Sequence, residues 1–579
     1  MRLAAASFTN GYEFSQGAGY TLPEYAAVIP EAVSSGKAEH HRVLIVGGGL
    51  AGLTLACSLA QLGVDCVLLD EDNTVGVKGA SSRGICYTQK SLEIFDKLGI
   101  YERIKAKGIQ WSVGRTFAGE DEVYSFDLKA QGNFSLSEQP AFINIQQFYN
   151  EGFLVERIAE LGHAQIRWNN RVTSFEIKNK IATFSVATPA GEYTATADFV
   201  VDATGSRSPF HDWLNIQKTT KKGDDRWCIA DVRFNTHPPK ERHTWIEAPF
   251  NDNRAVWQHL MADDVWRIDY QMAPDADPAY VSREDVVRER LAKQFGKETQ
   301  IDIVWVGPYA YRSECVDRMI AAAGKSKVFF MGDSAKVVSP FGARGGNTGI
   351  ADADNLAWKL AAVVKGRAHS GLLSSYHAER HEAALTNVQV TNRTARFLRP
   401  LSGIERVFRH ATIELAKKHA FARSLINTGR MAVANPYSRS PITAPDLVQS
   451  HSVQNVSFNR LDGTTGRLNE LIQWASGLPL LLIWPGDTSA RLLQTVRRLS
   501  NDGMLRAVAV SLKEPLPCHE QIIDPQDKLL RACGLSRQAS WALIRPDSYL
   551  AARSDGNSSI AKLHAAVAAL QGASGETKQ

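Results

Sequence analysis

Residues 42–72 read RVLIVGGGLAGLTLACSLAQLGVDCVLLDED. An apolar run, Val43 to Val46, enters Gly47-Gly48-Gly49-Leu50-Ala51-Gly52. Apolar residues at Leu53, Ala56, Leu59 and Ala60 then follow helical spacing, and a second apolar run, Val64 to Leu69, ends in Asp70. This is G-x-G-x-x-G in a strand–turn–helix–strand context, closed by an acid. The glycines allow a tight turn and close approach of a diphosphate to the helix start, and the acid can meet a ribose hydroxyl. The stretch predicts a Rossmann-like α/β dinucleotide-binding unit. Alone it does not separate FAD from NAD(P).

Far downstream, residues 328–360 read VFFMGDSAKVVSPFGARGGNTGIADADNLAWKL. A buried strand (Val328 to Met331) precedes Gly332-Asp333, a proline and glycine loop, and a long amphipathic helix. Gly342, Gly345 and Gly346 let backbone approach a ligand without Cβ obstruction, and Asn347 or Thr348 can cap the helix. Such a helix start offers N–H groups and a positive dipole end to an electron-rich ligand.

Between and around these motifs, length bounds the architecture. At 579 residues the chain exceeds one hydrophobic core, so two or three domains are expected. A net charge of +5, scattered along the sequence, points to no nucleic-acid partner. Seven cysteines form no CxxC pair, which predicts reduced thiols and neither a disulfide framework nor a zinc site. The first forty residues show no signal-peptide pattern, and no stretch reaches the ~18 apolar residues of a membrane span. The expectation is a soluble cytoplasmic protein.

Residues 1–40, with Tyr12, Phe14, Tyr20 and Tyr25 spaced among Gly, Ser and Pro, read as an extended arm. Arg83 falls in a loop before an amphipathic helix, and Gln147 and Glu151 open another. From Arg167 the pattern alternates as antiparallel hairpins, turning at Pro189-Ala190-Gly191 and returning as a buried strand, Phe199 to Val201, that closes on Asp202-Ala203-Thr204-Gly205. Residues 225–273, with Trp227, Trp245, Trp257 and Trp266, predict a second sheet with one face on a cavity. His377 and His381 sit four apart on a helix, without the pattern of a metal site. Asn435 to Pro441 marks a linker. The tail reads as a small α/β unit, with strands at Leu480 to Trp484, Ala507 to Ser511 and Ser540 to Ile544, and a turn at Arg545-Pro546-Asp547. That succession suggests a thioredoxin-like fold, with Pro485-Gly486-Asp487-Thr488 where a redox version carries CxxC.

Taken together, GGGLAG with Asp70, Arg83, Gln147 and the 328–360 stretch resemble the group A FAD-dependent aromatic hydroxylases. The likeness is to the phenol hydroxylase, pentachlorophenol monooxygenase and 3-(3-hydroxyphenyl)propionate hydroxylase branch, whose members carry a thioredoxin-like C-terminal domain. It covers roughly residues 42–575. The resemblance implies an FAD-binding domain at 41–210 and 326–400, a substrate-binding sheet domain at 211–325, helices and linker at 401–445, and a structural or dimerising unit at 446–579. It implies that Gly47, Gly49, Leu50, Ala51 and Gly52 hold the FAD diphosphate and Asp70 the adenosine ribose. Arg83 and Gln147 would run along the cofactor, Gly332 and Asp333 would bind its ribityl region, and Pro340, Arg344, Gly345, Gly346 and Asn347 would border the isoalloxazine. It also implies a homodimer, NADPH or NADH as reductant, O2, a small aromatic substrate and hydroxylation through a C4a-hydroperoxyflavin. The family's Y-x-x-E-R signature matches Tyr376 to Arg380, which favours a structural role for the two histidines.

Departures from the family pattern are specific. Thr204-Gly205 stand where an Asp-Gly pair serves both FAD and NADPH, so the resemblance carries FAD further than NADPH. Lys336 replaces a histidine and Arg344 a glutamine, both adding positive charge around the flavin. Ile85 stands where phenol hydroxylases place an aspartate near the ring, leaving the base that deprotonates a phenol unidentified. Arg267, Tyr270 and Arg312 are candidates from their place in the substrate-facing region. Two rivals keep the fold or discard the chemistry: a flavin oxygenase of secondary metabolism working by epoxidation or Baeyer–Villiger insertion, and a flavin-free binding protein.

Overall fold

A computed structural model describes residues 5–8, 20–76, 84–130, 136–235, 239–400, 402–426, 431–484, 490–510, 520–536, 539–555 and 560–572. The strands Ala164–Arg167, Cys66–Leu69 and Glu39–Val46 lie in parallel, and the end of Gly191–Asp202 followed by Ser326–Phe330 extends them in parallel on the other side. Val43, Leu44 and Ile45 are fully buried in succession. Helices cover a parallel sheet on both faces, so its strands read as continuous apolar runs. The Leu50–Gln61 helix is buried from Gly52 to Ala60 and packs against the Gly345–Val364 helix. The two motifs are thereby joined through their helices.

The second sheet has eight strands in the order Lys336–Val337, Ile301–Val316, Lys218–Phe234, Val265–Gln271, Arg254–Leu260, Arg242–Ala248, Val113–Ala118, Asp121–Asp127. The last two correct the expected boundary. The Val113–Asp127 hairpin belongs by sequence to the first domain, yet it runs parallel to Arg242–Ala248 and supplies that edge with a partner. The arm is anchored as well. Tyr25 stacks on Trp168 at 4.6 Å, and the buried Tyr20 donates its hydroxyl to Asp231 in the second sheet at 2.7 Å. Tyr12 and Phe14 lie outside the described residues.

The tail forms a seven-stranded sheet, in which Leu480–Ile483 pairs in parallel with Arg506–Val510 and antiparallel with Ala539–Ile544. Four further strands, Ser457–Arg460, Thr465–Arg467, Glu520–Ile523 and Leu550–Asp555, were not legible in the sequence pattern. Pro485 to Thr488 lies outside the described residues. The segment read as a linker is packed rather than loose. Tyr437 is buried and stacks on Tyr549 at 4.4 Å, and Tyr549 donates its hydroxyl to the Asn435 carbonyl.

The turn at Arg545-Pro546-Asp547 is also buried, and it fastens the tail to the first domain. Arg545 donates to Glu379 Oε2 at 2.9 Å and to Asp547 Oδ1 at 2.9 Å, while Lys359 meets the same Glu379 oxygen at 2.7 Å. Burial opposes ionisation of Glu379, but the charges of Arg545 and Lys359 prevail and hold its carboxyl well below the ordinary range. Breaking a buried pair by removing one partner strands the other charge at a cost of about 3–5 kcal/mol. Arg545→Met is therefore expected to lower unfolding free energy by about that amount, measured by urea denaturation near neutral pH. Because the folded pKa of Glu379 is depressed, its contribution is full above the unfolded carboxyl value of about 4.3 and fades as pH falls below it. The gap between the Arg545→Met variant and the parent should close as the medium is acidified.

Candidate cofactor and substrate site

At the first loop, backbone crowding requires glycine at two positions. Gly47 has φ +108°, and a Cβ there would lie 2.5 Å from the Ala203 carbonyl oxygen; one on Gly52 would lie 2.0 Å from the Gly47 carbonyl oxygen. Gly49 differs, since its Cβ would meet nothing within 4 Å, so the loop is open on that side. The helix that follows has no side-chain cap. Asp70 folds back onto the loop, accepting from the Gly48 amide and, at 2.9 Å, from the Asp72 amide. Burial pushes its carboxyl up to about 6.

Gln147 and Glu151 flank the same region. Gln147 accepts from the Gly84 amide at 3.0 Å and donates to Glu151 at 2.7 Å, while Glu151 accepts from the Gly76 amide at 2.8 Å. Burial pushes Glu151 up to about 7. Arg83 lies outside the described residues.

The second loop meets the first. A Cβ on Gly332 would stand 3.0 Å from Ala51 Cβ, and one on Gly346 would stand 3.2 Å from Leu50 Cδ2. Gly332 donates its amide to Asp352 at 3.0 Å; Arg380 Nε meets the other Asp352 oxygen at 2.7 Å, and Lys336 pairs with Asp352 too. This corrects the reading of Lys336 as extra charge for a flavin, because a fully buried carboxylate takes it up. The capping expectation is corrected as well. The helix starts at Gly345 without a side-chain cap; Thr348 bonds back to the Arg344 carbonyl, and Asn347 bridges to Thr88 N, Cys86 O and Ala343 O. Arg344 is buried, donates to Asn387 at 2.7 Å and is pulled down to about 10 by burial. His377 and His381 bond to the backbone at Met319 and Val316, in a structural role.

A cavity of about 160 Å³ joins this loop to the second sheet; Asp333, Pro340 and Arg344 to Asn347 lie on one side, with sheet residues opposite. Strand register explains which residues reach it. Asp231 faces Arg267 and Arg267 faces His259 across adjacent strands, while Arg242 stands one residue before the His243–Gln258 pair, in line with His259. Two residues along, on the same face, Asp269 faces Trp257 and Ile229. Arg267 is held by Asp231 in a two-point pair at 2.7 and 2.9 Å.

Alternation puts Tyr270 on the other face, so it does not join the cavity. It lies in an apolar cluster with Val287 and Leu291 and donates to Gln294 at 2.6 Å. Arg312 is also outside the cavity, paired with Glu314 at 3.0 Å near the Ser206 carbonyl. In their place the structure brings Arg242, His259 and Asp269, none of which was singled out in the sequence. The only signal was a second charge, Asp269, two positions after Arg267 within a strand otherwise free of charge. Burial pushes Asp269 up to about 7 and holds His259 well below the ordinary histidine range.

These residues fit FAD: the loop is open at Gly49, the helix start at Gly345 lacks a cap, and the two glycine motifs touch beside a cavity. Comparison with known proteins agrees. The FAD binding domain family matches residues 40–391. The 3-(3-hydroxy-phenyl)propionate/3-hydroxycinnamic acid hydroxylase of Burkholderia cenocepacia (strain HI2424) is 25% identical over 538 residues, covering 89% of this chain and 94% of that protein. The 6-methylpretetramide 4-monooxygenase of Streptomyces rimosus is 28% identical over 549 residues, covering 89% and 91%. Among solved structures, the flavin-dependent monooxygenase PieE in complex with FAD and substrate shares the fold with a TM-score of 0.76 at 20% identity, covering 92% of this chain and 99% of its own. The chain belongs to the FAD binding domain family, and the two relatives named above are a hydroxylase and a monooxygenase.

Proposed function

We propose that this protein hydroxylates a phenolic or benzoate-type aromatic compound, with NADPH or NADH as reductant and O2 as oxidant. One observation carries the reading: the second glycine loop and the tryptophan-bearing sheet face enclose the same cavity. Bound FAD would take electrons from the nicotinamide and activate oxygen there; the protein supplies binding, orientation and exclusion of water. Gly47 to Gly52 would hold the diphosphate, and Asp70 the ribose once it turns from the Gly48 amide. Arg83, Gln147, Gly332 and Asp333 would line the cofactor's length. The ring would lie along Pro340 to Asn347, where the Gly345 helix start and Arg344 provide positive potential. Likeness to a 6-methylpretetramide 4-monooxygenase supports a second reading, a polycyclic substrate of secondary metabolism, for the same site.

The proposal extends to organisation. The 446–579 unit is assigned a structural role on a thioredoxin-like fold, supported by its central Leu480–Ile483 strand with one parallel and one antiparallel neighbour. The FAD-binding and substrate units keep the boundaries above, with the Val113–Asp127 hairpin moved to the substrate sheet. Homodimerisation is supported by Ile404, Val407, Phe408 and Phe421, exposed by 60% or more on two neighbouring helices. No helix among the described residues is long and apolar enough to cross a membrane, and the six described cysteines are free; both accord with a cytoplasmic location.

Purified protein is expected to show a flavin absorption spectrum and phenol-stimulated NAD(P)H oxidation with a hydroxylated product. A colourless protein, or oxidation that no phenol stimulates, refutes the reading; stimulation by polycyclic substrates alone selects the second one. Gly49→Val should fold normally, since open space surrounds that position, yet weaken FAD retention on the order of tenfold or more by blocking close approach. Flavin-to-protein ratio after gel filtration, with circular dichroism, checks this. Phe408→Glu should shift the solution mass from dimer to monomer; a monomeric parent refutes the dimer.

A further inference from the structure

Besides the Trp257 indole, three titratable side chains around the cavity each carry a polar atom that is buried and, among the described residues, without a hydrogen-bond partner: Arg242 Nε, His259 Nδ1 and Asp269 Oδ1. They come from three adjacent strands, and all three residues line the cavity. Buried polar groups are nearly always satisfied, so three such atoms converging on one space call for a ligand with both donor and acceptor character. Arg242 touches the Met431 sulfur at 3.0 Å and the Trp257 ring, and forms no ion pair among the described residues. Asp269 lies on the same face two residues along from Arg267, where it feels the charges of Arg267, Asp231 and Arg242.

We propose that Asp269 is the base that takes the hydroxyl proton of a phenolic substrate, with Arg242 facing the phenolate formed. The assignment rests on the functional reading above. In the step, the phenolic O–H bond breaks, the proton goes to Oδ1 of the Asp269 carboxylate, and the electron pair stays on the substrate oxygen. One negative charge passes from carboxylate to phenolate and nothing else is consumed. The ionised ring is a stronger electron donor, as attack on an electrophilic oxygen requires.

The surroundings suit this role. Arg267 lies on the same strand as Asp269, with Asp231 paired to it, and Arg242 and His259 lie on the next two strands. From the other walls come Tyr309, Cys86, Asp333 and Arg344. Burial and the charges of Arg242 and Arg267 all disfavour the His259 cation, which favours a ring that donates or accepts a hydrogen bond over one that competes as a charge. Burial brings the Asp269 carboxyl to about 7, where a carboxylate is basic enough to accept a proton and the ionised form makes up about half of the population in neutral solution. Arg267, locked bidentately to Asp231, holds the floor of the site.

The test uses the FAD-loaded full-length protein with 3-(3-hydroxyphenyl)propionate, 3-hydroxycinnamate, p-nitrophenol and anhydrotetracycline, following product formation from about pH 5 to about 10. For the best phenol, kcat should rise through about pH 7 and then level, as Asp269 becomes ionised. Asp269→Asn should lower kcat on the order of 10²-fold, abolish that limb and leave KM within about threefold, its deficit shrinking as the phenol ionises in solution. Asp269→Glu should recover part of the rate with a displaced limb, and it decides the matter if the Asn variant does not fold. An Asn or Glu variant with unchanged kcat and an unchanged limb overturns the assignment and leaves the functional reading standing. A parent enzyme that hydroxylates none of the phenols overturns the functional reading, and this assignment with it.

Discussion

The Asp352 carboxylate is the point on which the cofactor half of the molecule depends. It is fully buried, and its charge is met by Lys336, Arg380 and the Gly332 amide. An isolated carboxylate in that position would be prohibitively costly, so its partners are obligatory. Each partner fixes a different part of the fold. Gly332 belongs to the second glycine loop, Lys336 to the short strand that joins the substrate sheet, and Arg380 to the long Ser374–Leu398 helix. One side chain on the Gly345–Val364 helix therefore sets the loop against the first glycine motif, where only Ala51 and Leu50 separate the two backbones.

The same network reaches the tail. Arg380 also donates to the Tyr437 hydroxyl at 3.0 Å and to the Thr348 carbonyl at 3.3 Å, and Tyr437 stacks on Tyr549. Glu379, the preceding residue on the helix, takes Arg545 from the tail. Neighbouring residues thus serve two buried charge clusters, one under the cofactor loop and one under the C-terminal unit. Such clusters are weak sources of net stability and strong sources of geometric definition, since a misplaced element leaves a charge unpaired.

At the cavity the rule is relaxed on one side. Arg267 is held at two points by Asp231, whereas Arg242, His259 and Asp269, which line the space, each carry a buried polar atom without a hydrogen-bond partner among the described residues. Low dielectric makes such atoms expensive to leave idle and effective once a ligand meets them. Tyr20, from the N-terminal arm, completes the Asp231 cluster at 2.7 Å, so a segment with no motif of its own is built into the floor of the site.

Sequence alone determined the two glycine motifs, the parallel strands they follow and the helices they open, because short-range sterics and apolar periodicity govern those features. It also distinguished the aromatic sheet from the dinucleotide unit. It did not reveal that Lys336 is neutralised, since Asp352 looks like any helix acid until the loop folds onto it. Nor did it separate Arg267 from Tyr270: both lie in the Val265–Gln271 strand, and only the packing of the sheet decides which face meets the cavity. Arg242, His259 and Asp269 come together through strand register between residues that no local pattern links. The tertiary structure decided the charge of the site for the same reason, because whether a buried ion is paired depends on contacts made across the whole fold.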